Sequence, residues 1–411
     1  MRRLPRSKLA VALVGLLAGA AVIATPMTTP PAASADTFYD PPSPLPDGEP
    51  GDIIRSEPTT FYLDPAKTLE ANADAYRVMY LSTDTHGDPM AVTGTLLRSN
   101  YPWMGVGPRP IIGFAVGTQG LADKCAPSKR MAAGLEYEGA FLEGLLERGY
   151  GVAITDYQGL GTPGNHTYVI RAAEANAVLD SVRAAQRLPD VKLPDSGPVL
   201  TAGYSQGGGA SGAAAEIAHS YAPELDLLGS YSGAPPADKK VVGRHLDGSH
   251  AAGLLGYAIV GLDAAYPELG IDDLLNEEGK KQREQLESEC VEETLVNHAF
   301  KESKNFTKDG RAVTEYMDEE PFDSTVEAQK LGNRSPEVPT LVLHSRADDI
   351  VPYEQGRQMA RDWCDLGANV RFKTLETATH VGAIPEASST AFMWMEERIS
   401  GFPQFSNCGT F

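Results

Sequence analysis

Five consecutive residues, Gly203-Tyr204-Ser205-Gln206-Gly207, fix the sharpest change of direction in this chain. Before them stands Val199-Leu200-Thr201-Ala202, apolar and strand-like; from residue 208 to 218 comes a run of small residues suited to a helix. A strand that becomes a helix within one residue forces that residue into strained backbone angles, and glycines two before and two after leave room for the crossing backbone. Ser205 is then exposed at the end of the strand, with the N–H of Gln206 aimed at the same space. Glycine makes up 41 of 411 residues, so the G-x-S-x-G spacing alone arises easily by accident. Its meaning depends on partners elsewhere in the chain.

The surrounding pattern alternates strand and helix. Residues 59–63, 75–81 and 90–97 read as antiparallel strands, and 110–116 as a buried strand. Apolar residues recur at helical spacing over 130–148 (Leu135, Phe141, Leu145), with Gly149 placed as a C-cap. Residues 150–155 are the next strand, 156–164 a Gly-rich loop, 169–188 an amphipathic helix, 198–202 the strand feeding Ser205, and 229–234 another strand. This order implies an α/β fold with a mostly parallel central sheet flanked by helices. The pattern breaks from about residue 238 to 335, where helical segments such as the apolar 251–262 and the charged 277–293 replace strands. It resumes with strands at 339–344 and 370–375 and a final helix at 387–399. The expected division is a core of 36–237 and 336–411 with a helical cap inserted at 238–335.

The partners of Ser205 lie in the resumed part. Where a serine nucleophile occupies such a turn, an acid and then a histidine follow it in chain order, each after a sheet strand. The strand at 340–343 runs into His344-Ser345-Arg346-Ala347-Asp348-Asp349-Ile350-Val351-Pro352, and the next strand into Ala378-Thr379-His380. His380 is the one histidine downstream of that acid; the other seven are assigned surface or packing roles. The chemistry needs all three residue types. A serine hydroxyl is a poor nucleophile until an imidazole takes its proton, and the imidazole needs a carboxylate to fix its tautomer and balance its transient charge. Asp348 is preferred to Asp349, since adjacent loop side chains diverge and only one can face His380. An oxyanion hole is expected from the backbone N–H of Gln206 and from the loop Gly117-Thr118-Gln119-Gly120, through Gln119 or Gly120.

Compartment follows from the first 35 residues. Arg2, Arg3, Arg6 and Lys8 precede an apolar stretch, and Ala33-Ser34-Ala35 is a small-x-small cleavage site, so residues 1–35 read as a secretory signal peptide. No later stretch is long and apolar enough to span a bilayer. The formal charge of −20 becomes −24 once four leader cations are removed, which argues against nucleic-acid binding. Such acidity has two readings, solubility of an exported protein or repulsion of anionic products such as carboxylates. Cys125, Cys290, Cys364 and Cys408, an even number in an oxidising compartment, imply two disulfides. They contain no C-x-x-C spacing that would suggest zinc.

Together these residues resemble the secretory lipases, the lipase A-like branch of the α/β-hydrolases found in yeasts and exported by actinobacteria. The markers are Phe38-Tyr39-Asp40-Pro41-Pro42, Gly51-Asp52-Ile53-Ile54-Arg55, Gly117-Thr118-Gln119-Gly120 with Cys125-Ala126-Pro127-Ser128, Asp156-Tyr157-Gln158-Gly159-Leu160-Gly161, Gly203 to Gly208, and Asp348 with Ile350-Val351-Pro352. The resemblance implies an α/β-hydrolase with a helical cap after the sixth core strand. It further implies carboxylic-ester hydrolysis, usually of acylglycerols, without a cofactor or metal, with Ser205, Asp348 and His380 as the catalytic set. It also implies disulfides Cys125–Cys290 and Cys364–Cys408, the first tying cap to core. The yeast relative carries acidic residues in the oxyanion loop where this chain does not, so only the backbone role carries over. The expected enzyme is a secreted, monomeric serine hydrolase of lipase type that touches a lipid interface transiently, with residues 251–262 as an acyl-tunnel wall, an interfacial lid or an ordinary buried cap helix. Acyl transfer, hydrolysis of a specialised acetyl or antibiotic ester, a peptidase, and a non-catalytic binding module on a hydrolase scaffold are the alternatives.

Overall fold

Residues 37–411 are described by a computed structural model, and the expected leader at 1–35 lies outside the described residues. Three strands, β1 (Ile53–Thr59), β2 (Ala73–Thr83) and β3 (Pro89–Ser99), form an antiparallel meander. The alternating part then runs β4 (Ile111–Ala115), α1 (Pro127–Ala133), α2 (Gly139–Glu147), β5 (Gly151–Thr155), α3 (Arg171–Arg187), β6 (Pro198–Tyr204), α4 (Gln206–Tyr221) and β7 (Asp226–Gly233). A helical insertion follows: α5 (Lys239–Leu246), α6 (Gly253–Ala265), α7 (Glu277–Glu287), α8 (Val291–Asn297), α9 (Val313–Tyr316) and α10 (Phe322–Glu327). The sheet resumes with β8 (Thr340–Ser345), α11 (Tyr353–Asp365), β9 (Val370–Leu375) and α12 (Ile384–Ile399).

The nine strands are ordered β1-β2-β3-β5-β4-β6-β7-β8-β9. From β5 to β9 every neighbouring pair is parallel, and β3 joins β5 antiparallel. Every residue of β4, β5 and β8 is buried, as parallel strands covered on both faces require. Alternation assigns the two layers. A Cβ on Gly113 would stand 2.8 Å from a methyl of Val182 in α3, so that face carries α3. The next residue, Phe114, points the other way and stacks on Phe141 of α2, which stacks in turn on Phe392 of α12 at 4.6 Å. The reversal of strand order at β4 puts the ends of β4 and β6 beside a crevice, the usual place for a site in an open α/β sheet.

Several expected elements are relocated. The strand read at 59–63 is absent; β1 lies earlier and pairs with β2 as an edge strand, which tolerates Pro58, while Tyr62 makes only an isolated bridge to Glu70. The helix read over 130–148 is two helices, broken where Gly134 turns left-handed at φ 71°, and Leu135 is 48% exposed. The charged helix at 277–293 stops at Glu287, because Cys290 is disulfide-bonded to Cys125 and bridged to Gly120, and α8 starts just beyond. Helix α11 was not read from the sequence, although its buried Met359, Ala360 and Trp363 follow helical spacing. Counting β1, the insertion follows the seventh strand. Its helices share an apolar cluster with the loops at the strand ends, in which Leu254, Leu255 and Tyr257 meet Tyr168, Ile350 and Val351. Cys364 is bonded to Cys408, tying α11 to the C-terminal segment.

Candidate active site

Ser205 stands between β6 and α4 with φ 59° and ψ −125°, a conformation that costs a non-glycine residue on the order of 1–3 kcal/mol. Its surroundings leave no alternative. A Cβ on Gly207 would sit 1.9 Å from the carbonyl oxygen of Ala115, and one on Gly203 would sit 2.3 Å from that of Gly207. Ser205 N–H donates to Gly233 O at 2.9 Å, and Ser205 O accepts from Gly209 at 3.0 Å as the first helical carbonyl. Ser205 is half-buried where the residues on either side are buried. Gln206 opens α4, so its N–H belongs to the first turn, which has no helical acceptor for it.

Asp348 lies in the loop after β8 with a fully buried side chain. Its Oδ1 accepts the N–H groups of Ile350 at 3.0 Å and Val351 at 2.8 Å, and its Oδ2 accepts His380 Nδ1–H at 2.7 Å. Burial alone would raise its pKa, but the hydrogen bonds from His344 and His380 outweigh burial and hold the carboxyl well below the usual carboxylate range. With Nδ1 donating, Nε2 of His380 is left with its lone pair free; it is buried and has no partner. The His380 ring lies 5.1 Å from that of Tyr204, the residue before Ser205, and Tyr204 OH donates to His380 O at 2.8 Å. Asp349 instead accepts the backbone N–H of His380 at 2.8 Å.

His344, one of the seven histidines given a surface or packing role, is fully buried and presents Nε2 to Asp348 Oδ2 at 3.4 Å and to Val351 O at 2.9 Å. Its position at the end of β8, four residues before the acid, was the available signal. Beneath Gln206 lies a second unread group. The Gln206 amide donates to Glu174 at 2.7 Å and to His166 Nε2 at 3.0 Å, while Glu174 also accepts the N–H of Val169 at 2.9 Å. Burial pushes His166 down to about 4, so it is a neutral acceptor here.

Ser205 and Gln206 open into a cavity of about 780 Å3, a volume that includes open solvent, walled by Val242, Leu246, Leu254, Leu255, Ile259 and Leu262 with few polar groups. Residues read as a tunnel wall, lid or buried helix thus include several that line it. Gln119 and Gly120 do not line it. Gly120 is bridged to Cys290, with Val291 N–H donating to Gln119 O at 2.9 Å and Leu121 N–H to Glu289 O at 3.2 Å. Among the described residues no group of His, Cys, Asp or Glu side chains is arranged to hold a metal ion, and no helix is long and apolar enough to cross a membrane.

A mostly parallel sheet with a serine on its strained strand-to-helix turn, and a buried Asp–His pair beyond later strands, defines a serine hydrolase of the α/β-hydrolase fold. The sequence model described as "Secretory lipase" matches residues 126–407, most of the chain, and the chain belongs to that family; it is a secreted enzyme. Secreted triacylglycerol lipase LIP7 of Malassezia globosa is 28% identical over 370 residues, covering 85% of this chain and 77% of the relative. A probable inactive lipase of Mycobacterium tuberculosis is 27% identical over 391 residues, 90% of this chain and 83% of that one. The structure of Candida antarctica lipase A in its closed state superposes with a TM-score of 0.81 at 25% identity, covering 91% of this chain and 88% of that chain.

Proposed function

We propose that Ser205, His380 and Asp348 form the catalytic triad of a lipase that hydrolyses acylglycerol esters, triacylglycerols among them. The observation that carries this reading is the strained serine opening into an apolar cavity, together with a histidine that a buried carboxylate orients and that packs on Tyr204, the residue before the serine. Ser205 Oγ attacks the ester carbonyl while His380 Nε2 takes its proton; the carbonyl becomes an oxyanion held by Gln206 N–H and by Gln119 or Gly120 N–H. The intermediate expels the alcohol, which leaves with the proton from His380. Water, deprotonated by the same nitrogen, then attacks the acyl-enzyme and releases the fatty acid.

Residues 238–335 act as a cap in this reading, with the acyl chain lying along α5 and α6 in the cavity. Val381, 64% exposed directly after His380, is suited to brief contact with a lipid surface, and the enzyme works as a monomer. The relative names favour lipids as substrates over specialised esters or acyl transfer. Ser205→Ala is expected to abolish hydrolysis of emulsified triacylglycerol and of a nitrophenyl ester chain-length series while the protein stays folded. Retained turnover overturns the assignment.

A further inference from the structure

A loop that donates to an oxyanion must hold its N–H groups to within a few tenths of an ångström, yet it has no strand or helix ladder of its own. The loop Gly117-Thr118-Gln119 obtains its support from three consecutive residues between α1 and α2. Glu138 Oε2 accepts the Gly117 N–H at 2.7 Å, Tyr137 OH donates to Thr118 O at 3.1 Å, and Gln119 Nε2 donates to Glu136 Oε1 at 3.0 Å. The two segments run in opposite directions, one residue against one, like a strand pair whose cross-links come mostly from side chains. Glu138 N–H donates to Glu136 Oε1 at 3.1 Å, so the supporting segment is tied to itself.

This arrangement is costly as mere packing. Burial pushes Glu136 up to about 7 and Glu138 well above the usual carboxyl range, and Glu136 Oε2 and Gln119 Oε1 are buried without partners. A loop that only had to turn could be held by backbone bonds. On its other side the loop is fastened to residues 289–291. Gly117 N–H is consumed by Glu138, which leaves the oxyanion donor to a residue further along the loop.

We propose that Glu136, Tyr137 and Glu138 are positioning residues that clamp Gly117, Thr118 and Gln119 in register for oxyanion binding. The proposal rests on the reading that this loop serves the oxyanion of a Ser205-dependent esterase. In the full secreted chain, Glu138→Leu removes the acceptor, Glu138→Gln keeps a carbonyl that can accept the Gly117 N–H, and Tyr137→Phe deletes one hydroxyl from a residue that is 47% exposed overall. Turnover of a soluble nitrophenyl ester is measured against active sites counted with a serine-directed phosphonate. Glu138→Leu is expected to lower kcat about 10- to 100-fold with KM within about twofold, because the lost interaction acts in the transition state. Glu138→Gln is expected to recover most of that loss, and Tyr137→Phe to lose severalfold in kcat. Wild-type kcat in a folded Glu138→Leu, or no recovery in Glu138→Gln, overturns the clamp. If Glu138→Leu does not fold, Tyr137→Phe decides, and unchanged kcat there overturns it. Ser205→Ala is assayed alongside: turnover retained in that variant strikes at the esterase reading itself, and not at the clamp.

Discussion

Asp349 accepts the backbone N–H of His380 at 2.8 Å, whereas Asp348 next to it accepts the ring Nδ1–H at 2.7 Å. Two adjacent carboxylates thus serve one histidine, one holding its main chain and one its imidazole. Asp348→Asn is expected to lower kcat by about 10^3- to 10^4-fold, since the tautomer and the imidazolium both depend on that oxygen. Asp349→Ala is expected to cost about 1–2 kcal/mol of stability with no more than about tenfold in kcat. Steady-state kinetics and denaturant titration of both variants check this, and the opposite ranking would move the acid role to Asp349.

Glu136 and Glu174 are each pushed by burial from 4.5 to about 7, against bonds from Gln119 and Glu138 in one case and Gln206 in the other. The folded chain therefore keeps protons that the unfolded chain releases near 4.5. Across that window these two carboxyls leave the folded state with more protons, so they lower stability as pH rises from about 4.5 to 7, offset in part by His166, which burial pushes down to about 4 and which acts with the opposite sign between about 4 and 6.5. Asp348, depressed in the folded state, acts with the opposite sign and withdraws stability only as pH falls below its ordinary 3.8. Thermal unfolding is expected at higher temperature at pH 5 than at pH 7.5, with the difference reduced in a Glu136→Gln, Glu174→Gln variant. A flat profile over that range contradicts the burial argument.

The two disulfides should be separable by assay. Replacing Cys364 and Cys408 by serine removes a link of sequence separation 44 between α11 and the C-terminal segment, and about 2–4 kcal/mol of stability is expected to go with kcat unchanged. Replacing Cys125 and Cys290 is expected to cost at least as much stability and also to lower kcat severalfold, because Cys290 is bridged to Gly120. Equal kinetic behaviour of the two double variants would deny that coupling.

The cavity wall sets a fourth expectation. Ala258 of α6 lines the cavity, and Ala258→Phe would fill part of it. Turnover of esters with long acyl chains is expected to fall about tenfold or more while butyrate turnover stays within about threefold, each excluded methylene being worth about 1–3 kcal/mol. A chain-length series on the variant reads this directly, and a uniform loss would place the acyl chain elsewhere.

What could be read from sequence was whatever announces itself locally. The turn at Ser205 carries its own glycines, the loop of Asp348 follows a fully buried strand and His380 follows the next strand, so their placement needed only chain order. Glu174, His166 and the Glu136-Tyr137-Glu138 segment carry no such mark, whereas His344 has one in its place at the end of β8. Glu174 meets Gln206 across 32 positions and Glu138 meets Gly117 across 21, and an isolated glutamate on a helix or turn reads as a solvated surface charge. The edge strand β1 is hidden because its Pro58 argues against a strand unless the edge is already known. Helix α11 could have been read, since Met359, Ala360 and Trp363 follow helical spacing. The end of the charged helix at Glu287 is hidden because nothing in its charge pattern shows that Cys290 has to reach back to Cys125.

The pairing of Gly120 with Cys290 bears on how far the insertion is an interchangeable module. Residues 289–291 belong by chain order to the insertion, yet they form a rail along Gln119-Gly120-Leu121 on the core. Exchanging the whole insertion between relatives to graft a different chain-length preference would also replace that rail. A chimera with its junctions inside the insertion, keeping Glu289-Cys290-Val291 with the parent core, separates exchange of the cavity wall from the support of the loop at 117–121.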